Sequence, residues 1–426
     1  MFFQIELLYF VVMLAVFVLL ILKKLPAGLA LIISSIIGAL LAFIFSKTDF
    51  SIRQFVEGGM SYFNPIILVT AAMVFIVMLE ATGALSYISV QIVRVFRNYP
   101  SLMLISFMLI IMLPGMITGS TLASVVSSGA LVGPIMIKLG VPKAKTGGII
   151  AFGAIMGEIA PPINIPAMLI CEAVDMPYRN FMLPLLLLTI PLAIFAVLFL
   201  GRKHLRKYTL EEIDSLLDTS ILNEVNWTST IPLMLLVVLI VLQTVFPNIL
   251  GALGMPLIFI ISMIPAFFVG KKCNIVRTLK LGVEKSIPAI VLLAGVGVFV
   301  QTLSLIGVRG YFVVNVLSLP GWLVYVGMAV FVPLFGGVSA FASASVFGSA
   351  FVMAALTYNP IFIIAGVSML AAVGEFFPPT ATATTFATDV VEETNYLKLT
   401  KATLVPILVA IVYAVLFVTV FAKIWN

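Results

Sequence analysis

The feature that most constrains this chain is a series of uninterrupted apolar stretches, each about twenty residues long. A hydrocarbon core of about 30 Å is crossed by an α-helix of about 20 residues. No water reaches the backbone there, so only helices and closed barrels can span it. The stretches are continuous rather than alternating, which excludes a β-barrel. They predict spanning helices over residues 5–22, 27–45, 65–85, 146–170 and 181–200, and again over 231–246, 249–269, 287–306, 361–385 and 403–421. With 62% hydrophobic and 9% charged residues, the chain has far more apolar surface than a water-soluble core can hide. The expected fold is an all-α polytopic membrane protein with about ten spanning helices in the lipid bilayer. The first stretch lacks a basic flank and a small-residue cleavage site, so it reads as a retained helix rather than a signal peptide.

Two further regions, 102–139 and 321–357, are apolar but punctured by glycines, and neither reads as a single span. Charge placement decides how they lie. Arg202, Lys203, Arg206 and Lys207 mark the segment 201–229 as a cytoplasmic linker, and Lys271, Lys272, Arg277 and Lys280 mark a second cytoplasmic loop. The uncharged PNIL at 247–250 is then external. Lys138, Lys143 and Lys145 are cytoplasmic, as are Arg94 and Arg97, so 102–139 must enter and leave on one side as a re-entrant helical hairpin with its tip at 118–121. The same count makes 321–357 a hairpin entering from outside, returns the charged segment 389–401 to the inside, and places both termini outside. The net charge of +6 lies in these short loops and carries topology; it is no nucleic-acid signal.

The two punctured regions match each other. PGMITGSTLASVVSSG from Pro114 and PLFGGVSAFASASVFG from Pro333 both follow P-x5-S-x2-A-S-x4-G without a gap. Downstream, GEIAPPIN from Gly157 and GEFFPPTA from Gly374 share G-E-x2-P-P. A duplication whose halves carry opposite orientation is the signature of an inverted-repeat transporter, with sites near the midplane between discontinuous helices. The expected repeats are 1–200 and 230–426, joined by the linker.

The prolines say what such a site is made of. A Pro-Pro pair lacks two donors and breaks a helix, at about 3 kcal/mol or more per interior proline. The freed carbonyls become cation ligands only where they line a polar cavity, while half-helix N-termini offer donors to an anion. The tips, TGST at 118–121 and GGVSA at 336–340, add flexible backbone and hydroxyl oxygens suited to hard cations. Asn164 and Thr380, Thr382, Thr384 and Thr385 follow the breaks and read either as ligands or as caps and interhelical hydrogen bonds. Ser124, Ser343, Asn164 and Thr384 are the candidates for binding a substrate carboxylate. No arginine or lysine occurs in either tip or break, so an anion would be held by neutral donors, helix dipoles and bound cations.

Glu158 and Glu375 occupy equivalent positions beside the breaks. Carboxylates at membrane depth cost at least about 2.5 kcal/mol and mark ion or proton pathways. Three readings stand: cation ligand, protonatable coupling group, or neutral acid capping the broken helix. Glu80 has no acidic counterpart in the second half and reads as an interfacial residue. The lone histidine, His204, reads as a solvated loop residue. Cys171 and Cys273 are far apart without metal-ligand spacing, so neither a disulfide nor a metal site beyond an alkali cation follows. The inventory lacks a nucleophile or metal for an enzyme, and a passive channel accounts less well for paired hairpins on opposite sides.

The run from Gly115 to Ile170, with its GMITGSTLASVV tip and GEIAPPINIP break, resembles the large membrane (permease) subunit of tripartite ATP-independent periplasmic (TRAP) transporters. The resemblance implies the ion transporter superfamily, an elevator mechanism, sodium ions as coupling ions, organic-acid uptake and the bacterial cytoplasmic membrane. It also implies two partners, a small four-helix membrane subunit and a periplasmic substrate-binding protein. Carried over by motif, a first sodium site would use Gly119, Ser120 and Thr121 with Pro161 and Asn164. A second would use Gly337, Ser339 and Ala340 with Pro379, Thr380 and Thr382. The chain departs from the family pattern at Ile163, where a serine is usual, and at Glu158 and Glu375, where neutral residues are usual, and so resembles a divergent branch. The alternative is a stand-alone proton- or sodium-coupled organic-acid transporter of the same superfamily.

Overall fold

The computed structural model describes residues 5–48, 52–216, 220–246, 253–355 and 358–425. The expected loop at 247–250, the start of the 249–269 span and the last two residues of the 321–357 region lie outside the described residues. Among the described residues there is no β-strand. The first half comprises α1 (Ile5–Leu22), α2 (Ala27–Ser46), α3 (Ile52–Met60), α4 (Phe63–Ala81), α5 (Ala84–Phe96), α6 (Pro100–Thr118), α7 (Thr121–Lys138), α8 (Lys143–Ile159), α9 (Ile165–Ala173) and α10 (Met182–Gly201). A short linker helix, α11 (Leu210–Leu216), follows. The second half comprises α12 (Ile231–Val245), α13 (Met255–Met263), α14 (Ile275–Leu305), α15 (Val308–Leu317), α16 (Gly321–Gly336), α17 (Ala340–Ala355), α18 (Pro360–Val373), α19 (Thr382–Val391) and α20 (Tyr396–Ile424).

Among the described residues nine helices are long and apolar enough to cross a membrane. The membership differs from the apolar runs. Both arms of the first hairpin, α6 and α7, qualify, whereas the runs at 146–170 and 361–385 are each two shorter helices. Two spans are longer than their apolar runs. The helix expected at 287–306 begins at Ile275, so Arg277 and Lys280 ride on α14 rather than in a loop, and α20 takes in Lys398 and Lys401 from the charged segment at 389–401. In both, an asparagine sets the start: Asn274 accepts from the Arg277 N–H and Asn395 from the Leu397 N–H, satisfying donors that the first helical turn leaves free.

Packing sorts the helices into two groups. α14 lies against α2, α3 and α4, with α1 on α2 and α13 on α4. The α2–α14 crossing is backbone to backbone: a Cβ on Gly28 would collide with the Val291 carbonyl, and one on Gly295 with Gly28 itself. Small residues permit such contact where apolar burial gives no drive between helices. The second group centres on α8, which contacts α6, α7, α10, α19 and α20, while α18 packs on α16 and α20. From Thr146 to Ile159, and from Phe362 to Val373, every residue of α8 and α18 is buried. A helix apolar all round belongs in an interior, so the two helices that end in the breaks form the centre of the molecule.

The linker is tied down rather than loose. Tyr208 donates its hydroxyl to the Leu139 carbonyl at 2.5 Å and its N–H to the Arg97 carbonyl, joining the base of the first hairpin to α5. Thr209 and Glu212 form a reciprocal capping box at the start of α11. The Thr209 N–H and the Arg206 guanidinium hold the Glu212 carboxyl below its ordinary range. His204 lies beside this linker with its Nε2 3.0 Å from Lys145 Nζ.

Candidate functional site

Each hairpin turns over two or three residues and restarts with a serine cap. In the first, α6 ends at Thr118 and Gly119 takes the left-handed conformation, φ +63°, where a side chain would be strained. A Cβ there would also lie 2.6 Å from the Ile165 side chain. Ser120 then accepts from the Ala123 N–H at 3.4 Å, starting α7. In the second, Ser339 accepts from the Ala342 N–H at 3.3 Å, starting α17. Both second arms make one α-turn and then widen into a π-turn, Val125–Gly129 and Ala344–Gly348, at the same place in the shared motif.

Each break faces the hairpin of its own half. α8 stops at Ile159, the chain runs extended through Ala160 and Asn164, and α9 starts at Ile165. α18 gives way to a 3₁₀ turn, Gly374–Phe376, followed by extended Phe377 and left-handed Ala381 before α19. Both Pro-Pro bonds, Pro161–Pro162 and Pro378–Pro379, are cis. The Ile163 N–H donates to Met116 O at 3.4 Å in the first half. In the second, Thr380 gives Gly337 O both its N–H, at 3.1 Å, and its hydroxyl, at 2.8 Å. The glycine of G-E-x2-P-P makes these approaches possible. A Cβ on Gly157 would strike the Met112 carbonyl of α6, and one on Gly374 would strike Gly336 at the end of α16.

Asn164 is fully buried and every polar atom of its amide is engaged. Its Oδ1 accepts from the Ala167 N–H at 2.8 Å, and its Nδ2 donates to Ile159 O and Ser368 Oγ, both at 2.9 Å. It caps α9, satisfies a carbonyl freed by the break and ties the first break to α18. Thr384 donates to Ala381 O at 3.1 Å, Thr382 to the Thr380 hydroxyl at 3.1 Å and Thr385 to Thr380 O at 3.4 Å. Ser343 donates to Val332 O at 2.7 Å. Its counterpart Ser124 is fully buried and has no protein partner.

The glutamates converge. The Thr121 hydroxyl, in the first turn after the first tip, donates to Glu158 Oε2 and lies near the Glu375 carboxyl, so acids from both halves approach one hydroxyl. Among the described residues, Glu158 Oε1 and Glu375 Oε2 are buried without a hydrogen-bond partner, and no ion pair forms with either carboxyl. Phe152 of α8 packs on Phe376, with ring centroids 6.1 Å apart, which brings the two acids' helices together. The second break is the more open one: Pro378 and Thr385 are exposed, whereas Pro161, Ile163 and Asn164 are buried.

The structure thus brings Gly119 against Ile163 and Ile165, which flank Asn164, Thr121 to Glu158, and Gly337 to Thr380. Glu80 lies apart, bonded to Lys285 of α14 at 2.9 Å. Sequence reading missed the meeting of Glu158 with Glu375, the Asn164–Ser368 bond and the 3.1 Å contact between Tyr62 and Ser345 that joins α4's first turn to α17. No local pattern announces any of these. An apolar cavity of about 510 Å³ lies between α4, α13 and α14, lined by residues such as Val74, Phe259 and Leu279, none of which belongs to this site.

Over residues 14–424 the chain matches the family model described as the tripartite ATP-independent periplasmic transporter, DctM component. Among solved structures, the chain is similar to the YdaH transporter of Alcanivorax borkumensis, described as having an unusual topology. The TM-score is 0.57 at 17% identity, over 89% of this chain and 88% of that one. This likeness extends to the fold alone. A search of curated proteins returns no significant match.

Proposed function

The chain belongs to the DctM family, the large component of tripartite ATP-independent periplasmic transporters, and on that premise we propose that it takes up a small organic anion coupled to sodium. The observation that carries this reading is the bonding of each hairpin to the break of its own half, through Ile163 to Met116 and Thr380 to Gly337. Two tips set against two sets of freed carbonyls make two sites for a hard cation. With two cations bound, a carboxylate such as a C4-dicarboxylate or sugar acid is held by helix N-termini and hydroxyls, without a basic side chain. Tips and breaks belong to the group built on α8 and α18, which moves as an elevator against the group built on α14. The hairpins are re-entrant, the repeats are inverted, and both termini face outward from the cytoplasmic membrane. A small four-helix membrane subunit and a periplasmic binding protein complete the system.

Uptake into proteoliposomes tests it. A thermal-stability screen against small organic acids, each with and without sodium, first finds a ligand, since whatever binds the folded state raises its apparent stability. The acid found is then assayed for concentrative uptake under an inward sodium gradient, with and without the two partners. Uptake unchanged when sodium is replaced by choline would end the coupling claim, and conductance without accumulation would make the protein a channel.

A further inference from the structure

We propose that Glu158 and Glu375 form a proton-binding pair across the two halves, which exchanges one proton with solvent during transport. The inference rests on the transporter reading and adds an ion that the paired tips do not supply.

Three observations carry it. The two carboxyls approach the one Thr121 hydroxyl, and each keeps one buried oxygen without a protein partner. Glu158 is fully buried and Glu375 half-buried, and two such acids without a counter-charge bind a proton or a cation, because adjacent anions are not held together where the dielectric is low. Independently, Ser124 is fully buried and unpartnered, one helical turn from Thr121 and on the same side of α7. A Cβ placed on Gly115 would lie 2.6 Å from Ser124 Oγ and 2.8 Å from the Glu158 nitrogen, which puts the serine beside the glutamate. Its counterpart Ser343 spends its hydroxyl on Val332 O, so the unpartnered serine is the one in the half that carries Thr121 and Glu158.

The occupant is a proton rather than a metal cation on the donor count. Two carboxylate oxygens and, on α7, the serine oxygens of Ser124 and Ser127 are unpartnered, short of the six or so oxygens that hard cations gather. A proton needs one acceptor and gains a second from the partner acid. The other titratable groups on packed elements stand at helix ends, on the surface or in bonds of their own, with Lys138 at the end of α7 and Tyr396 and Lys423 at the two ends of α20. Lys143 and Lys398 pair with Glu392 and Glu393, and Lys145 meets His204. Tyr413 donates to Leu187 O, Cys171 and Glu172 end α9, Tyr325 stands at the far end of α16, and Asp389 and Lys401 are exposed. The second break beside the pair is open, with Pro378 exposed and Glu375 itself half-buried.

The test reads the proton itself and needs no substrate. Infrared difference spectra of the purified protein, acid minus alkaline in sodium-free buffer, are expected to show the C=O stretch of a protonated buried carboxyl. Glu158→Gln and Glu375→Gln should each shift the pH at which the band appears, and the double variant should lose it. Gln keeps the volume of Glu, and the singles carry the test if the double variant does not fold. A wild-type spectrum without the band, or a band intact in the double variant, overturns the proposal. So does sodium alone if it removes the band from wild type and stabilises wild type but not the Gln variants, since the pair would then hold a metal cation. A band that behaves as expected in a protein that accumulates no acid removes the transporter reading and leaves the proton site standing.

Discussion

The Thr121 hydroxyl donates to the carboxylate of Glu158, binding the tip of the first hairpin to the last turn of the helix ahead of the first break. Thr121→Val removes the donor while keeping the shape, and leaves a second oxygen of the buried Glu158 unsatisfied. A lost buried partner of a charged group costs about 1–3 kcal/mol. The expected outcome is a lowered thermal transition in detergent and impaired uptake, with Thr121→Ser restoring both. A Val variant as stable and active as wild type would show that the bond has no role.

Gly157 and Gly374 are predicted to resist even alanine. A methyl at either site meets backbone, the Met112 carbonyl in one case and Gly336 in the other, so nothing flexible can give way. Overpacking of this kind costs about 1–3 kcal/mol. Gly310→Ala and Gly321→Ala, where a Cβ meets nothing within 4 Å, are the neutral controls. Thermal unfolding of the four variants side by side checks the ordering.

Asn164→Ala should cost about 1–2 kcal/mol as the loss of a cap, and more if Ser368 is left intact and partnerless. Because Asn164 and Ser368 share a bond, Ser368→Ala made on top of Asn164→Ala should cost less than Ser368→Ala alone. A double-mutant cycle on the unfolding transition measures the difference, and simple additivity would show that the two do not act together.

Thr380→Val cuts the hydroxyl bond between the second break and the Gly337 carbonyl while sparing the backbone bond beside it. If this contact shapes a sodium site, a loss of about 1 kcal/mol corresponds to roughly a fivefold rise in the sodium concentration giving half-maximal uptake. Thr382→Ala should do less, since that hydroxyl reaches only Thr380. Sodium titrations of uptake separate the two.

The linker helix α11 should loosen in acid. Glu212 is held below its ordinary range in the folded chain, so its contribution is present above that range and is lost as pH falls through the lowered value. Hydrogen-exchange protection factors of α11 should therefore drop at acid pH, and Glu212→Gln should abolish that pH dependence.

Much of this site is local and therefore legible along the chain. The Pro-Pro pairs interrupt α8 and α18 because a ring without an N–H cannot continue a helix. The serines that restart α7 and α17 are read from the same motif that aligns the halves, and the π-turns fall within it. The ends of the long helices were less legible, since Asn274 and Asn395 start α14 and α20 inside charged segments that hydropathy assigns to loops. Asn164 shows where reading a residue type stops short: an amide beside a break fits a ligand or a cap, and only its partners reveal that the structure uses it as a cap.

The sequence by itself determined the membrane, the helices, the two matched hairpins and the two breaks, because each follows from hydropathy, turn chemistry and proline stereochemistry within a few residues. Tertiary structure decided which half meets which. Asn164 and Ser368 bond across 204 positions, and Glu158 and Glu375 approach a threonine belonging to the first hairpin. Such meetings depend on how buried helices cross, and α8 and α18, buried on every side from Thr146 to Ile159 and from Phe362 to Val373, present no single outward face that would foretell it.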